Sequence, residues 1–256
     1  MDDLTNSFVD LGKDIMESIS SMSESRSMSE SVGMGSDGTP TKLVDKISED
    51  IVIRHFEDFD LPFNIISEEA GFISRGYSEN AVIDPIDGTT NFTAGIPMYS
   101  ISIAVMNENF DSLRYGFIMN LANGDFYHAV KDRGMYFNGK RMVRRAHGNG
   151  IFLASMNGGL DSMTSVLLKR ARKVRALGCS SMELALVAAG SADVAIHLGL
   201  GNEIRNVDIA AGVVMVREAG GEVVDEHGKK INFGKLTSDR KNMVGYRESR
   251  IVEGIF

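Results

Sequence analysis

Only one cysteine, Cys179, stands in the 256 residues. An internal disulfide and a zinc site built from several cysteines are both excluded, and the chain reads as one kept in a reducing compartment. The histidines (His55, His128, His147, His197 and His227) fall without ligand spacing, which argues against a histidine metal centre. A basic surplus is also missing. Lys and Arg total 27 against 35 Asp and Glu, a net charge of −8, so nucleic acid is not expected as a partner. Anionic small substrates remain open, because bound divalent ions reverse a local field. No long apolar run occurs, and the opening Met1-Asp2-Asp3 is acidic where a secretion signal would be basic. No membrane partner is therefore expected, and the expected location is cytoplasmic.

What is present suits one large domain or two packed ones, with 43% hydrophobic residues. Leu4, Phe8, Leu11, Ile15, Ile19 and Met22 recur every three or four residues and predict an amphipathic first helix. The serine-rich stretch 18–31 reads as that helix fraying into a loop. Gly33 to Gly38 reads as a break. Pro40 and Thr41 then open a second helix, with Val44, Ile47 and Ile51 inward and Asp45 in its first turn. Strands are predicted over 63–67, 81–84, 99–106, 114–119 and 125–130, with Asn123-Gly124 as a hairpin turn. Beyond residue 150, strands at 151–155, 174–178, 193–198, 221–225 and 243–246 alternate with helices at 161–172, 181–189 and 207–219. No repeat or linker interrupts the chain, so the expected architecture is two packed α/β halves meeting near residue 150. The 15 methionines read as core filler.

One segment carries more than the rest. In Val82-Ile83-Asp84-Pro85-Ile86-Asp87-Gly88-Thr89-Thr90-Asn91-Phe92 an apolar strand ends on a carboxylate. A proline turn then delivers a second carboxylate three residues on. Two rigidly held acids suit a hard, oxygen-seeking cation such as Mg²⁺. Amides at the helix start beyond them suit a phosphate. Glu68-Glu69 closes another apolar strand, Asp45 begins the second helix, and Asp208 opens the helix in Asn206-Val207-Asp208-Ile209-Ala210-Ala211-Gly212. Each alone is ordinary, a solvated loop acid or an acid favoured by a helix dipole. Jointly they lie at strand ends and helix starts, where folds of alternating elements gather their ligands. Metal and phosphate at one turn point to phosphoryl chemistry.

These pieces, in this order, resemble the inositol monophosphatase and fructose-1,6-bisphosphatase superfamily of Mg²⁺-dependent sugar phosphatases. Supporting matches are Gly116–Val130 with Gly134–Gly139, Gly178-Cys179-Ser180-Ser181 and Glu218-Ala219-Gly220-Gly221. The resemblance spans nearly the whole chain. It implies an α/β sugar-phosphatase fold of alternating α-β-α-β-α layers in two packed halves. Residues 1–150 would carry most metal ligands, and 151–256 would add Asp208 and the substrate pocket. It further implies that Glu68, Asp84 and the Ile86 carbonyl bind one Mg²⁺, and that Asp84, Asp87 and Asp208 bind a second. Asp45 would serve a third, mobile site and help hold the attacking water, and Mn²⁺ could replace Mg²⁺. Glu69 and Thr89 match the pair that orients and deprotonates that water, and the Gly88 and Thr89 amides would hold the phosphate, next to Asp87 and Thr90. A homodimer is the assembly implied.

The substrate is the less readable part. Relatives acting on inositol usually carry Trp-Asp where this chain has Val207-Asp208, and a glutamate where it has Gly201. The loop Asp37–Lys42 looks more like that of archaeal enzymes of dual inositol and fructose-bisphosphate specificity. Arg175 and Arg205 flank the segments expected to form the sugar pocket with Gly178, Cys179 and Ser180, and an arginine fork suits a second phosphate. The rival expectations are a 3′(2′),5′-bisphosphate nucleotidase or NADP phosphatase of the same superfamily, and a non-catalytic metal-binding regulator. The regulator is disfavoured by the presence of both Glu69 and Thr89. Gly33-x-Gly35-x-x-Gly38 formally matches a dinucleotide fingerprint but follows a helix and precedes Pro40, the wrong context for one. The basic run Lys140–Arg145 reads as a solvated strand. Cys179 reads as lining or packing, since the chain lacks the phosphate-cradling arginine motif of cysteine phosphatases.

Overall fold

The computed structural model describes residues 2–22, 30–34, 40–108, 110–143, 148–231, 233 and 239–256. Helix α1 (Asp3–Met22) presents the stripe of Phe8, Leu11, Ile15 and Ile19 to the interior. Strands β1 (Ser31–Met34) and β2 (Pro40–Lys42) then pair antiparallel. The expected break at Gly33 is therefore part of a strand. Pro40 and Thr41 are strand residues too, with helix α2 (Leu43–Asp58) starting after them. Residues 23–29, Gly35 and Gly38 lie outside the described residues.

An eight-stranded sheet follows: β3 (Asn64–Ser67), β4 (Gly71–Ile73), β5 (Asn80–Asp87), β6 (Ser100–Met106), β7 (Tyr115–Asn120), β8 (Phe126–Val130), β9 (Gly134–Phe137) and β10 (Lys140–Arg141). The order is β10-β9-β8-β7-β6-β5-β3-β4, antiparallel except between β3 and β5. A five-residue helix, α3 (Thr89–Thr93), leaves the end of β5. The later part holds β11 (Ile151–Ala154), α4 (Ser162–Leu168), β12 (Lys173–Arg175), α5 (Ser180–Ala189), β13 (Val194–His197), β14 (Ile204–Arg205), α6 (Asn206–Glu218), β15 (Glu222–Val224), β16 (Arg240–Lys241) and β17 (Met243–Tyr246). A second sheet has the order β12-β11-β13-β17-β15, and β14 pairs separately with β16. The helix expected over 161–172 is shorter, with Asp161 capping its start through the Thr164 amide.

Strand periodicity sorts the cores into layers. Ile83, Ile101, Ile103 and Phe117 face α1 and α2, whereas Val82, Ala104 and Ile118 face α5 and α6. The same two helices cover Leu153, Ala195, Val223 and Met243 of the second sheet. Its outer face, with Phe152, Val194, Ile196 and Val244, packs on Leu167 of α4. The result is the α-β-α-β-α layering that the resemblance implies. Helices α5 and α6 are sandwiched between sheets and are buried nearly all round. Gly116 of β7 lets α6 lie close, since a Cβ there would stand 2.5 Å from the Ala211 carbonyl oxygen. Among the described residues no helix is long and apolar enough to cross a membrane.

Candidate active site

Parallel pairing of β3 with β5 sets Ser67 opposite Ile83, so the residues that follow emerge side by side. Glu68 thereby comes next to Asp84. The expected proline turn after Asp84 is instead a bulge inside β5. Asp84 pairs with Ser102 and Asp87 with Ser100, so β5 carries one extra residue over this step. Proline is tolerated at such a bulge because the ladder is already interrupted there. The bulge turns both carboxylates toward α6, whose third residue is Asp208.

Glu68, Asp84 and Asp208 each offer an oxygen within 4.8 Å of the others. Burial pushes Glu68 up to about 8, with repulsion from Asp208 and Glu69 adding to it and Arg205 opposing it. Burial, then repulsion from Glu68, Asp208 and Asp87, drives Asp84 well above the usual carboxylate range. Asp84 is 1% exposed, and its Oδ2 has no hydrogen-bond partner. Crowded, dry carboxylates with an orphaned oxygen need a cation to stay ionised, and hard oxygen donors suit a divalent one. The donor set fits a metal.

Asp45 and Asp208 play matching local roles. Each is the third residue of its helix and accepts the amide that precedes the helix: Lys42 N–H donates to Asp45 Oδ2 at 3.2 Å and Arg205 N–H to Asp208 Oδ2 at 3.1 Å. The other Asp45 oxygen accepts the Thr89 hydroxyl at 2.8 Å. Burial raises the Asp45 carboxyl, against the pull of that hydroxyl. Thr89 Oγ1 also lies 3.1 Å from the Ile86 carbonyl oxygen. Glu69, the expected partner of Thr89, accepts the hydroxyl of Thr41, which the sequence singled out only as a helix opener.

Asp87 stands apart from the triad, at the start of α5. Its Oδ2 accepts the Ser181 amide and hydroxyl, both at 2.6 Å, and the Ser180 hydroxyl at 3.2 Å. Burial raises Asp87 to about 6, helped by Asp208 and opposed by these donors. The Cys179 thiol sits 3.4 Å from the same oxygen. Burial, then the Asp87 charge, holds it well above its usual range, the reverse of what a nucleophile needs. Gly88 has φ of 89°, and a Cβ on it would stand 2.9 Å from the Met98 carbonyl oxygen. Only glycine fits this joint between β5 and α3.

A cleft of about 530 Å³ opens here, lined by Asp87, Gly88, Thr89 and Thr90 on one side and by Gly178, Cys179, Ser180, Arg205 and Asp208 on the other. Arg175 is not among the lining residues; it is exposed, with Nη1 on the Val174 carbonyl. Arg240, which the sequence reading passed over, does line the cleft. The Arg205 side chain turns inward to Glu68 and Asp208, with Nη2 3.1 Å from Asp208 Oδ1.

Two further polar groups hold the frame. Glu49 of α2, 3% exposed, accepts the Ser67 hydroxyl and the Ala70 amide, which fixes the turn bearing Glu68 and Glu69. Glu183 of α5 bonds His197 of β13 at 2.7 Å and accepts the Leu177 amide. Burial alone would lower His197, but the Glu183 hydrogen bond and charge outweigh it. An acid at an apolar-stripe position was the available signal for Glu49, which shares its face with Val52 and Phe56.

The model of the inositol monophosphatase family matches residues 1–253. The chain belongs to this family. It is 34% identical over 244 residues to the fructose-1,6-bisphosphatase/inositol-1-monophosphatase of Thermococcus kodakarensis, covering 95% of this chain and 92% of that one. It is 31% identical to the bifunctional NADP phosphatase/NAD kinase of Methanococcus maripaludis, covering 90% of this chain and 45% of that protein. A solved structure from Pyrococcus horikoshii, described as a hypothetical protein with similarities to inositol-1 monophosphatase, superposes with a TM-score of 0.85. It is 30% identical, with 98% of this chain and 96% of that one covered.

Proposed function

We propose that this member of the inositol monophosphatase family is a Mg²⁺-dependent phosphomonoesterase for sugar and inositol phosphates, fructose 1,6-bisphosphate and inositol 1-phosphate among them. The observation that carries the reading is the triad of buried Asp84 and Asp208 with half-buried Glu68, beside the Asp45–Thr89 pair, at a cleft sized for a small ligand. The Thermococcus kodakarensis relative, matched over nearly its full length, supports this substrate class.

Glu68, Asp84 and the Ile86 carbonyl would hold one ion and Asp84, Asp87 and Asp208 a second, the triad of Glu68, Asp84 and Asp208 spanning both. When bound, such ions supply charge neutralisation at the phosphoryl group and activation of water. The protein's own part is positioning and proton transfer. A water donating to Thr89 Oγ1 passes its proton through that hydroxyl to Asp45 Oδ1 as its oxygen bonds phosphorus. The bond to the sugar oxygen breaks on the opposite side, and that oxygen takes a proton from solvent water in the open cleft. Burial lifts Asp45 toward the range useful for a base. The amides of Gly88 and Thr89 open α3 without intrahelical acceptors and serve the phosphate oxygens.

A second reading, removal of the 2′-phosphate of NADP, follows from the Methanococcus maripaludis relative. Phosphate release from inositol 1-phosphate, fructose 1,6-bisphosphate and NADP, with Mg²⁺ and with chelator, separates them. Turnover of the first two supports the proposal, preference for NADP shifts it to the second reading, and no release from any overturns both.

A further inference from the structure

Arg205 is the last residue before α6, and its side chain goes to the acids rather than to the open cleft. Its Nη1 bonds Glu68, Nε lies 3.2 Å from Asp208 Oδ2, and Nη2 lies 3.1 Å from Asp208 Oδ1. Two of the three carboxylates in the triad are thus held by one guanidinium. Arg205 also lines the cleft, whereas Glu68 and Asp84 are not among its described lining residues. The guanidinium therefore stands at the edge of the cleft, bonded to the half-buried Glu68 and to Asp208. It remains charged at any working pH, so it leaves these acids only by moving.

We propose that Arg205 is a built-in competitor of the metal: its guanidinium and a divalent cation are alternative partners of Glu68 and Asp208. This rests on the metal-site reading above. Loading the cation then requires the side chain to withdraw into the cleft it already lines. Strand pairing makes Arg240 the Cα partner of Arg205, and Arg240 lines the same cleft. The withdrawn guanidinium joins Arg240 there, at a place suited to a second anionic group on the substrate. An arginine that first seals the acids and then faces the cleft would make metal binding precede tight binding of a bisphosphate.

Replacement by Gln or Lys isolates the side chain's part, because the Arg205 backbone amide that also bonds Asp208 survives both changes. The test is calorimetric titration of Mn²⁺ into the chelator-treated wild-type protein, Arg205→Gln and Arg205→Lys at one neutral pH. Thermal melting in chelator accompanies it. Arg205→Gln is expected to bind Mn²⁺ about tenfold more tightly or better, the scale on which close charge pairs couple, and to melt lower in chelator. Arg205→Lys keeps the charge without the fork and is expected to fall between; it decides the question if the Gln variant does not fold. Affinity that is unchanged or weaker in the folded variants overturns the competition. If no variant, wild type included, binds Mn²⁺, the metal-dependent function fails as well, so the two outcomes are distinguishable.

Discussion

Thr89 gives its hydroxyl hydrogen to Asp45 at 2.8 Å, joining the start of α3 to the first turn of α2. The bond places a raised carboxylate one proton step from the cleft surface, with a hydroxyl as the link.

Removing the link tests its part in proton transfer. Thr89→Val is nearly isosteric and is expected to lower kcat by about 10²–10⁴-fold, the usual contribution of a positioned acid–base group. Thr89→Ser should retain most of it. Steady-state kinetics with a melting curve provides the check, and a Thr89→Val enzyme of near-normal kcat would remove the relay. Asp45→Asn should match the loss and abolish the acid limb of the pH–rate profile, on which wild-type activity falls as Asp45 gains a proton.

Asp87 has a second role besides its place in the cleft. Its Oδ2 receives the Ser181 amide and the Ser180 and Ser181 hydroxyls at the beginning of α5. At pH 5, where Asp87 is largely protonated, Asp87→Ala should lose stability as well as turnover, by about 1–3 kcal/mol for buried donors left without an acceptor. Chemical denaturation measures the loss. Unchanged stability with lost activity would leave only the cleft role.

Stability without metal should depend on pH in an unusual direction. Folding lifts Glu68 to about 8 and Asp87 to about 6, both above their ordinary values of 4.5 and 3.8. Between the ordinary and lifted values the folded chain holds more protons than the unfolded one. Stability is therefore lost as pH rises through that window. In chelator, Tm is expected to decline from about pH 5 to about pH 8, and the Tm gain on adding Mg²⁺ to grow over the same range. A melting series in both buffers reads this, and a chelator Tm that climbs with pH contradicts it.

The layered fold was legible because its outer elements are half-buried. The α1 stripe from Phe8 to Ile19 announces its inward face, and the Ser–Ile alternation along β6 announces a strand, although that strand is buried on both faces. Helices α5 and α6, packed on both sides, show no stripe and were read instead from the alternation of helical and strand segments beyond residue 150. The acids around Asp84 were readable because each ends a strand or starts a helix. Their partners were not. The Thr41 bond to Glu69, the Glu49 brace and the Glu183–His197 pair join elements distant in sequence, and local periodicity carries no record of such pairings. Arginine number told little about arginine position: Arg175 is absent from the cleft lining, Arg205 turns to the acids, and Arg240 reaches the cleft through pairing of two short strands.

The central claim is that Glu68, Asp84 and Asp208 hold the cation on which phosphate hydrolysis depends. Its most direct test is a crystal soaked in Mn²⁺, with anomalous scattering locating the ion. The expected result is a peak bonded to Glu68, Asp84 and Asp208 in the wild type and its loss in Asp84→Asn. An enzyme active with Mn²⁺ whose only peak lies away from these three carboxylates would contradict the claim.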